Sequence, residues 1–189
     1  MPRSSDARAR AVTTTARLLQ EQGYAGTGVA QILEVSAAPK GSFYFHFPQG
    51  KEQLAAEALR MAGAQVEQTL RRLAADSASP AELVTALVNR EVEILVQSGY
   101  HRGCPIATVA LEMASHSEII HMTCQEIFTS WVAVLGDAFA GQLGSAARDH
   151  AEHVIMTVEG ALLLSRVYRD PGPLHRARDA LIVCLTNAR

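Results

Sequence analysis

Hydrogen-bond donors alternate along one short segment of the sequence, at Lys40, Ser42, Tyr44 and His46. An ammonium group, two hydroxyls and an imidazole can all donate to the anionic oxygens of phosphate, and a lysine can also reach acceptor atoms on a base edge. Tyr44 and His46, two residues apart, are expected to bind phosphate. The segment is therefore a candidate for contact with double-stranded DNA.

Two short helices are predicted to position these donors. The first helix of the chain ends at Gly23, where a left-handed glycine would let Tyr24 fold back in a Schellman arrangement. Thr27 then caps a second helix, and Pro39 opens a third that ends before Pro48. Short helices joined by three or four residues are what a reader of the DNA major groove requires. The alternative is a small helical subdomain in which the aromatic side chains only pack together.

The rest of the chain also has the pattern of helices. Apolar residues recur at helical spacing, and the segment Ser79-Pro80-Ala81-Glu82 is a capping box with proline at the first helical position. The sequence contains no convincing strand and no internal repeat. We therefore predict an all-α protein of about nine helices, with a three-helix helix-turn-helix domain over residues 1–48 and a second helical domain over residues 49–189.

Charge is divided unevenly along the chain. Six basic and three acidic side chains fall in residues 1–51, a balance of +3, whereas the whole chain has a net charge of −2. A basic N-terminal segment on an otherwise acidic chain suits a protein that approaches phosphate with its N-terminus. Three cysteines without metal-ligand spacing indicate no disulfide framework and no zinc site. The sequence has no apolar leader and no uncharged run long enough for a membrane span, so we expect a cytoplasmic protein without membrane contact or cofactor.

Two stretches near the N-terminus carry a family resemblance. They are residues 23–27, Gly-Tyr-Ala-Gly-Thr, and residues 39–47, Pro-Lys-Gly-Ser-Phe-Tyr-Phe-His-Phe. Over about residues 8–60 the chain resembles the TetR family of regulators, and residues 47–55 are similar to its branch of lincomycin-resistance and flavonoid-responsive repressors. Residues 102–112 and 159–166 are similar to that branch as well. The resemblance implies a repressor that binds a palindromic operator as a homodimer and is released by a small apolar or aromatic effector.

The resemblance also implies roles for single residues at the DNA. Thr27 is expected to cap the second helix and to contact phosphate. The expected DNA-binding residues are Thr27, Lys40, Gly41, Ser42, Tyr44, His46 and Lys51. Three positions depart from the family pattern. Ala37 stands where a turn glycine is usual, at a cost of roughly 1 kcal/mol if it is left-handed, Gly28 lacks a frequent hydroxyl, and Phe45 stands where His or Tyr is frequent.

By the same resemblance, the C-terminal domain binds an effector in a cavity. Flexible and polarisable side chains are the best markers of such a cavity, because ligand pockets are largely apolar with a few polar groups. Each such side chain is nevertheless more often ordinary core than a ligand contact. Glu159 is a carboxylate within an apolar run, where it can bind a ligand, pair with an arginine or reach solvent. The candidate effector-binding residues are Cys104, Met113, Cys124, Phe128, Trp131, Met156 and Glu159.

The last two helices are expected to form the dimer interface, because each carries an apolar stripe. The resemblance implies that they pair with their symmetry mates in a four-helix bundle. A core within one chain is the alternative. The expected interface residues are Val154, Val158, Leu162, Ser165, Leu174, Leu181 and Leu185.

Three other interpretations of the sequence compete with an effector-responsive repressor. An enzyme lacks support, because no catalytic motif occurs and the two pairs of possible metal ligands on one helix face have no third ligand nearby, so we expect neither catalysis nor a bound metal. Those pairs are His150 with His153 and His121 with Cys124. A helical scaffold explains the long helices but not the N-terminal motif. Cys104 lies near a helix N-terminus, which favours a thiolate, so a repressor that senses oxidants or electrophiles is a further alternative.

Overall fold

The computed structural model describes residues 4–188, and every regular element in that range is helical. Eight of these helices have seven residues or more, and a ninth is a single turn of four residues that follows a 3₁₀ turn over Lys40–Ser42. The helices are α1 (Ser4–Gln22), α2 (Val29–Val35), α3 (Phe43–His46), α4 (Gly50–Asp76), α5 (Pro80–Gln97), α6 (Pro105–Met113), α7 (Glu118–Leu143), α8 (Ala147–Tyr168) and α9 (Gly172–Asn187). The prediction of an all-α fold with about nine helices is confirmed.

The chain divides into two compact units. The first unit extends to Gln65 and resumes over Cys104–Ile127, so it holds α1 to α3, the start of α4, all of α6 and the start of α7. The second unit comprises Val66–Gly103 and the residues from Phe128 onward, which include α5, α8 and α9. The division expected after residue 48 concerns function and stays a prediction.

The helix-turn-helix part of the first unit is built on aromatic side chains of α3 and of Phe47, which follows it. Phe43 and Phe47 are four residues apart, so both point to the same side of the helix, and their ring centroids are 5.5 Å apart. Both are buried, and they line one small cavity with Ala11 of α1 and Leu33 of α2. Because residues 43 and 47 take the inner side, the side chain of Tyr44 lies outside.

The turn after α1 is closed by Gly23, which has a φ of 74°. Its N–H donates to the carbonyl of Leu19 at 3.1 Å, which is the single bond of an αL cap. The predicted Schellman arrangement is wrong, because the N–H of Tyr24 does not turn back to α1. It donates instead to the Glu112 carboxylate on α6, which no local pattern indicates.

The turn after α2 contains a left-handed alanine, at the position where the family resemblance has a turn glycine. Ala37 has a φ of 49°, a conformation that favours glycine. Arg10 of α1 stabilises this turn, because its Nε donates to the carbonyl of Ser36 at 3.0 Å and its Nη2 to the carbonyl of Ala37 at 3.4 Å. The turn that sets α3 relative to α2 is therefore held by α1.

The second unit is built on the packing of α8 and α9 against each other and against α5. The seven side chains predicted to form the dimer interface are all buried within this unit, at most 7% exposed. Ser165 and Leu174 are bonded directly, since the serine Oγ accepts the leucine N–H at 3.2 Å. A side chain already buried in its own chain gains no further burial from a second copy. The assignment to the dimer interface is therefore wrong for Val154, Val158, Leu162, Ser165, Leu174, Leu181 and Leu185, which form a core within the chain.

A different stripe of α8 is exposed. It consists of Met156, Gly160, Leu163 and Val167, which we call the outer stripe, and its three large side chains are each more than half exposed. Their spacing of four, three and four residues puts them on one helix face. A Cβ on Gly160 would meet no atom within 4 Å. The packing within the chain therefore does not require a glycine in the middle of this stripe.

Candidate nucleic-acid interface

Three of the seven residues predicted to meet DNA are exposed on α3 and on the turn before it. Lys40 and Gly41 are exposed, and Tyr44 is 71% exposed. A Cβ on Gly41 would meet no atom within 4 Å, so no neighbouring group covers the backbone at this position. His46 is partly buried at the end of α3. The side chain of Ser42 lies outside the described part of the structure.

The segment around α3 carries basic residues and no acidic residue of its own. Residues 35–51 contain Lys40 and Lys51 and no aspartate or glutamate. A local excess of positive charge attracts phosphate even when the net charge of the chain is negative. This surface can therefore bind an anionic backbone.

Thr27 does not reach this surface. Its side chain is fully buried, and its Oγ1 donates to the carbonyl of Gly23 at 2.6 Å. The residue that precedes α2 as its N-cap is Gly28, which makes no side-chain cap. The prediction that Thr27 caps α2 is therefore wrong. Its hydroxyl stabilises the turn before α2 and is not exposed to a phosphate group.

Lys51 uses its ammonium group within the first unit. The Nζ atom donates to the carbonyl of Tyr24 at 2.7 Å and lies 3.9 Å from the centroid of the tyrosine ring. Burial lowers the pKa of Lys51, and the carboxylate of Glu112 opposes this shift. Burial and the charge of Glu52 raise the pKa of Tyr24. Lys51 thus holds the turn after α1, and its contact with the DNA backbone stays a prediction.

Phe45 is an exposed residue of α3 that the expected binding residues do not include. It is 82% exposed, and its ring centroid lies 5.3 Å from that of His46. A search for hydrogen-bond donors passes over phenylalanine, because its side chain has no polar atom. The signals that could have identified it are its departure from the family pattern and its position between Tyr44 and His46, two expected DNA contacts.

Three of the candidate effector contacts lie in the first unit. Cys104 is the N-cap of α6, where its Sγ accepts the N–H of Ala107 at 3.4 Å. Met113 is partly buried at the end of the same helix. Cys124 is buried on α7, and burial raises the pKa of its thiol to about 11. Cys124 is therefore a protonated core thiol at neutral pH.

The other four candidates lie in the second unit. The rings of Phe128 and Trp131 meet edge to face, with centroids 5.3 Å apart, and Trp131 is buried. Glu159 is partly buried on α8. Met156 belongs to the exposed outer stripe, so the prediction that it lines an effector cavity is wrong, because a cavity wall must face inward.

The pairs of possible metal ligands do not assemble into a larger cluster. Among the described residues, no group of three or more His, Cys, Asp or Glu side chains could hold a metal ion. His150 faces a cysteine instead, with its Nδ1 3.9 Å from the Sγ of Cys184. No helix within residues 4–188 is sufficiently long and apolar to cross a membrane.

Comparison with known proteins covers both ends of the chain. Residues 11–58 match the family of bacterial regulatory proteins named after TetR, and residues 80–180 match the C-terminal domain of LmrA/YxaF-like transcriptional regulators. The chain is 33% identical over 183 residues to the uncharacterised HTH-type transcriptional regulator YxaF of Bacillus subtilis, with 92% of each chain covered. It is 33% identical over 171 residues to the HTH-type transcriptional regulator LmrA of the same organism, with 89% of this chain and 91% of LmrA covered.

The fold is similar to that of a solved regulator. The crystal structure of the regulatory protein TetR from Rhodobacter sphaeroides superposes with a TM-score of 0.83 at 23% identity, and the match covers 93% of this chain and 97% of that one. Regulators of this family bind operator DNA, are typically dimers and are not enzymes. From these matches, the chain belongs to the TetR family of transcriptional regulators and has an LmrA/YxaF-like C-terminal domain.

Proposed function

We propose that this regulator is a repressor that binds a palindromic operator as a homodimer and is released by a small apolar or aromatic effector. The observation that carries the proposal is the surface of α3 and of the turn before it, where Lys40, Gly41 and Tyr44 are all exposed in a segment without acidic residues. Because bacterial operator DNA lies in the cytoplasm, the proposal implies a cytoplasmic protein.

The three exposed residues suit different parts of a DNA duplex. Lys40 supplies a cation for a phosphate or a base edge, and the hydroxyl of Tyr44 can donate to a phosphate oxygen. Gly41 has neither a left-handed φ nor a neighbour that a Cβ would strike, so folding does not demand glycine there. A backbone without a side chain lets DNA approach closely, so contact with DNA would explain why a glycine occupies this position.

The outer stripe of α8 supports dimerisation. Its exposed apolar side chains lie on both sides of Gly160, and a glycine inside a helix costs about 1 kcal/mol relative to alanine. Since the chain does not need this glycine for its own packing, the close approach of a helix from a second copy accounts for it. Two copies related by a two-fold axis would present two α3 helices to a palindromic site.

In the second unit, the effector proposal rests on the packed aromatic rings of Phe128 and Trp131 and on the partly buried carboxylate of Glu159. An effector shifts the equilibrium only by as much as it prefers the state that does not bind DNA. Trp131 is the single tryptophan of the chain, so its fluorescence reports locally on binding. An inducer should quench it over the concentration range that releases DNA, and quenching without release would identify an incidental ligand.

The proposed effector acts without a covalent bond to Cys104. Serine is a good N-cap residue, so Cys104→Ser keeps an acceptor for the N–H of Ala107 while it removes the thiol. The variant should respond to the inducer as the wild type does. Loss of the response with intact DNA affinity would favour a sensor of oxidants or electrophiles.

Selection from a random library of DNA duplexes tests the proposal. The wild type should enrich one palindromic sequence, and Gly41→Ala should bind that sequence more weakly. The matched control is Gly141→Ala on α7, because this glycine also has no atom within 4 Å of an added Cβ. Failure to enrich any sequence, or equal affinity of the two variants, would contradict DNA binding through α3.

A further inference from the structure

The side chain of Phe45 is almost entirely in contact with solvent, at 82% exposure. Single exposed apolar side chains are ordinary on protein surfaces, so it is the position of Phe45 next to Tyr44, a proposed DNA contact, that makes its exposure informative. The ring touches the edge of His46, but it takes no part in the core that Phe43 and Phe47 form. Its apolar surface is therefore available to a partner outside the chain.

The position of Phe45 determines which partner it can meet. It follows Tyr44 directly on α3, and both side chains lie on the side of the helix that Phe43 and Phe47 leave to solvent. Lys40 is exposed in the turn before α3. A molecule bound by Lys40 and Tyr44 would therefore lie next to the ring of Phe45.

The chemistry of the ring limits what it can recognise on DNA. A phenylalanine side chain cannot donate to phosphate or to the acceptor atoms of a base edge. The C5-methyl group of thymine is the apolar feature of the major groove, and phenylalanine is one of the residues that pack on it. We propose that Phe45 is a specificity-determining residue that packs on a thymine methyl in each half-site, a role that rests on the proposed operator binding.

Replacement of thymine by deoxyuridine in the operator tests this role, because the exchange removes the methyl group and preserves base pairing. Each thymine of the selected operator is replaced in turn, and the affinity of the full-length protein is measured by fluorescence anisotropy. We expect one symmetric pair of positions at which wild-type affinity falls about fourfold per half-site, the effect of exposing one buried methyl-sized group. At those positions Phe45→Ala should bind the thymine and deoxyuridine operators equally.

Two further variants make the result decisive. Phe45→Leu keeps an apolar side chain and should retain part of the methyl dependence. Leu111→Ala is the matched control, since Leu111 on α6 is 83% exposed, and it should retain both the wild-type affinity and the full methyl dependence. Circular dichroism confirms that each variant keeps its helices.

The proposal is overturned if wild-type affinity does not respond to deoxyuridine at any thymine, or if Phe45→Ala keeps the same response as the wild type. Both results leave sequence-specific DNA binding intact, so the repressor proposal would stand without a methyl contact. A protein that selects no DNA sequence would overturn the repressor and the role of Phe45 together.

Discussion

The carboxylate of Glu112 on α6 accepts the backbone N–H of Tyr24 at 3.2 Å, in the turn that follows α1. Its second oxygen accepts the N–H of Ala25 at 2.6 Å. A Cβ on Gly23 would displace the same carboxylate from this position, and the φ of 74° favours glycine there in its own right. One side chain of α6 therefore binds two backbone donors in the turn that leads into α2.

We expect Glu112→Ala to lower the free energy of unfolding by about 2 kcal/mol, because two charge-assisted hydrogen bonds are lost. Operator affinity should fall as well, because the turn at Tyr24 positions α2. The dependence of affinity on salt should not change, since Glu112 is not one of the proposed DNA contacts. Urea unfolding and operator titrations at several salt concentrations measure these effects.

The control for this variant is Glu126→Ala, which removes an exposed ion pair with Arg60 at 3.9 Å. Such a pair contributes at most about 1 kcal/mol, so stability and DNA binding should stay close to the wild type. Equal losses in the Glu112 and Glu126 variants would argue against a special role for the Glu112 carboxylate.

Ala37→Gly should raise the free energy of unfolding by about 0.5–1 kcal/mol. Glycine adopts a φ of 49° without the steric cost that alanine carries, and this gain exceeds the entropy that glycine loses on folding. Ala38→Gly is the control: Ala38 has no positive φ, so glycine there should lower the free energy of unfolding by about 0.4–1 kcal/mol through the greater freedom of the unfolded chain. Thermal unfolding measures both variants, and a lower melting temperature for Ala37→Gly would show that the left-handed alanine is not strained.

Leu163→Glu should convert the dimer into a monomer at micromolar concentration, because the charge would be buried in the interface that we propose for the outer stripe. Leu111→Glu should remain dimeric, since it adds the same charge at an exposed leucine of another helix. Val158→Glu should reduce folding itself, because Val158 is buried in the chain. Sedimentation velocity distinguishes these outcomes, and a dimeric Leu163→Glu would exclude the outer stripe as the interface.

Glu91 predicts a pH dependence of stability. It lies in the apolar stripe of α5, between the buried residues Leu87 and Leu95, and burial raises its pKa, with the charge of Arg90 as a smaller opposing effect. The folded state therefore binds the proton more tightly than the unfolded state. The resulting stability is present in acid and is lost as the pH rises through the folded pKa.

Glu91→Gln should therefore be more stable than the wild type at pH 7, and the difference should shrink as the pH falls towards 4. The control is Glu93→Gln on the exposed side of the same helix, whose difference from the wild type should vary little with pH. Thermal unfolding across this pH range measures both. A Glu91→Gln variant that is less stable than the wild type at pH 7 would indicate that the ionised carboxylate has a stabilising partner.

Features whose partners lie within a few residues were predictable from the sequence. Gly23 ends α1, and Ser79 accepts the N–H of Glu82 at 3.2 Å in the predicted capping box. The helix-turn-helix was predictable for the same reason, because its turns and short helices carry local signals. In each case the residue types restrict the backbone before tertiary packing forms.

Features that depend on distant helices were not predictable in this way. Tyr24 and Glu112 are 88 residues apart, so the turn at Tyr24 gives no sign of its acceptor. Leu162 and Leu163 are both apolar neighbours on α8, yet the first is buried and the second is exposed. The positions of α5 and α9 determine which stripe of α8 becomes core. The sequence pattern of α8 alone does not reveal where these two helices lie.

The salt dependence of operator binding by Lys40→Ala most directly tests whether α3 binds DNA. Each cation that neutralises a phosphate releases about one counterion, so its loss changes the slope of log affinity against log salt concentration by about one unit. We predict weaker binding by Lys40→Ala and a slope smaller in magnitude by about one unit for each lysine that contacts phosphate, with unchanged thermal stability because Lys40 is exposed. Wild-type affinity together with a wild-type slope in Lys40→Ala would contradict the assignment of the α3 surface to DNA.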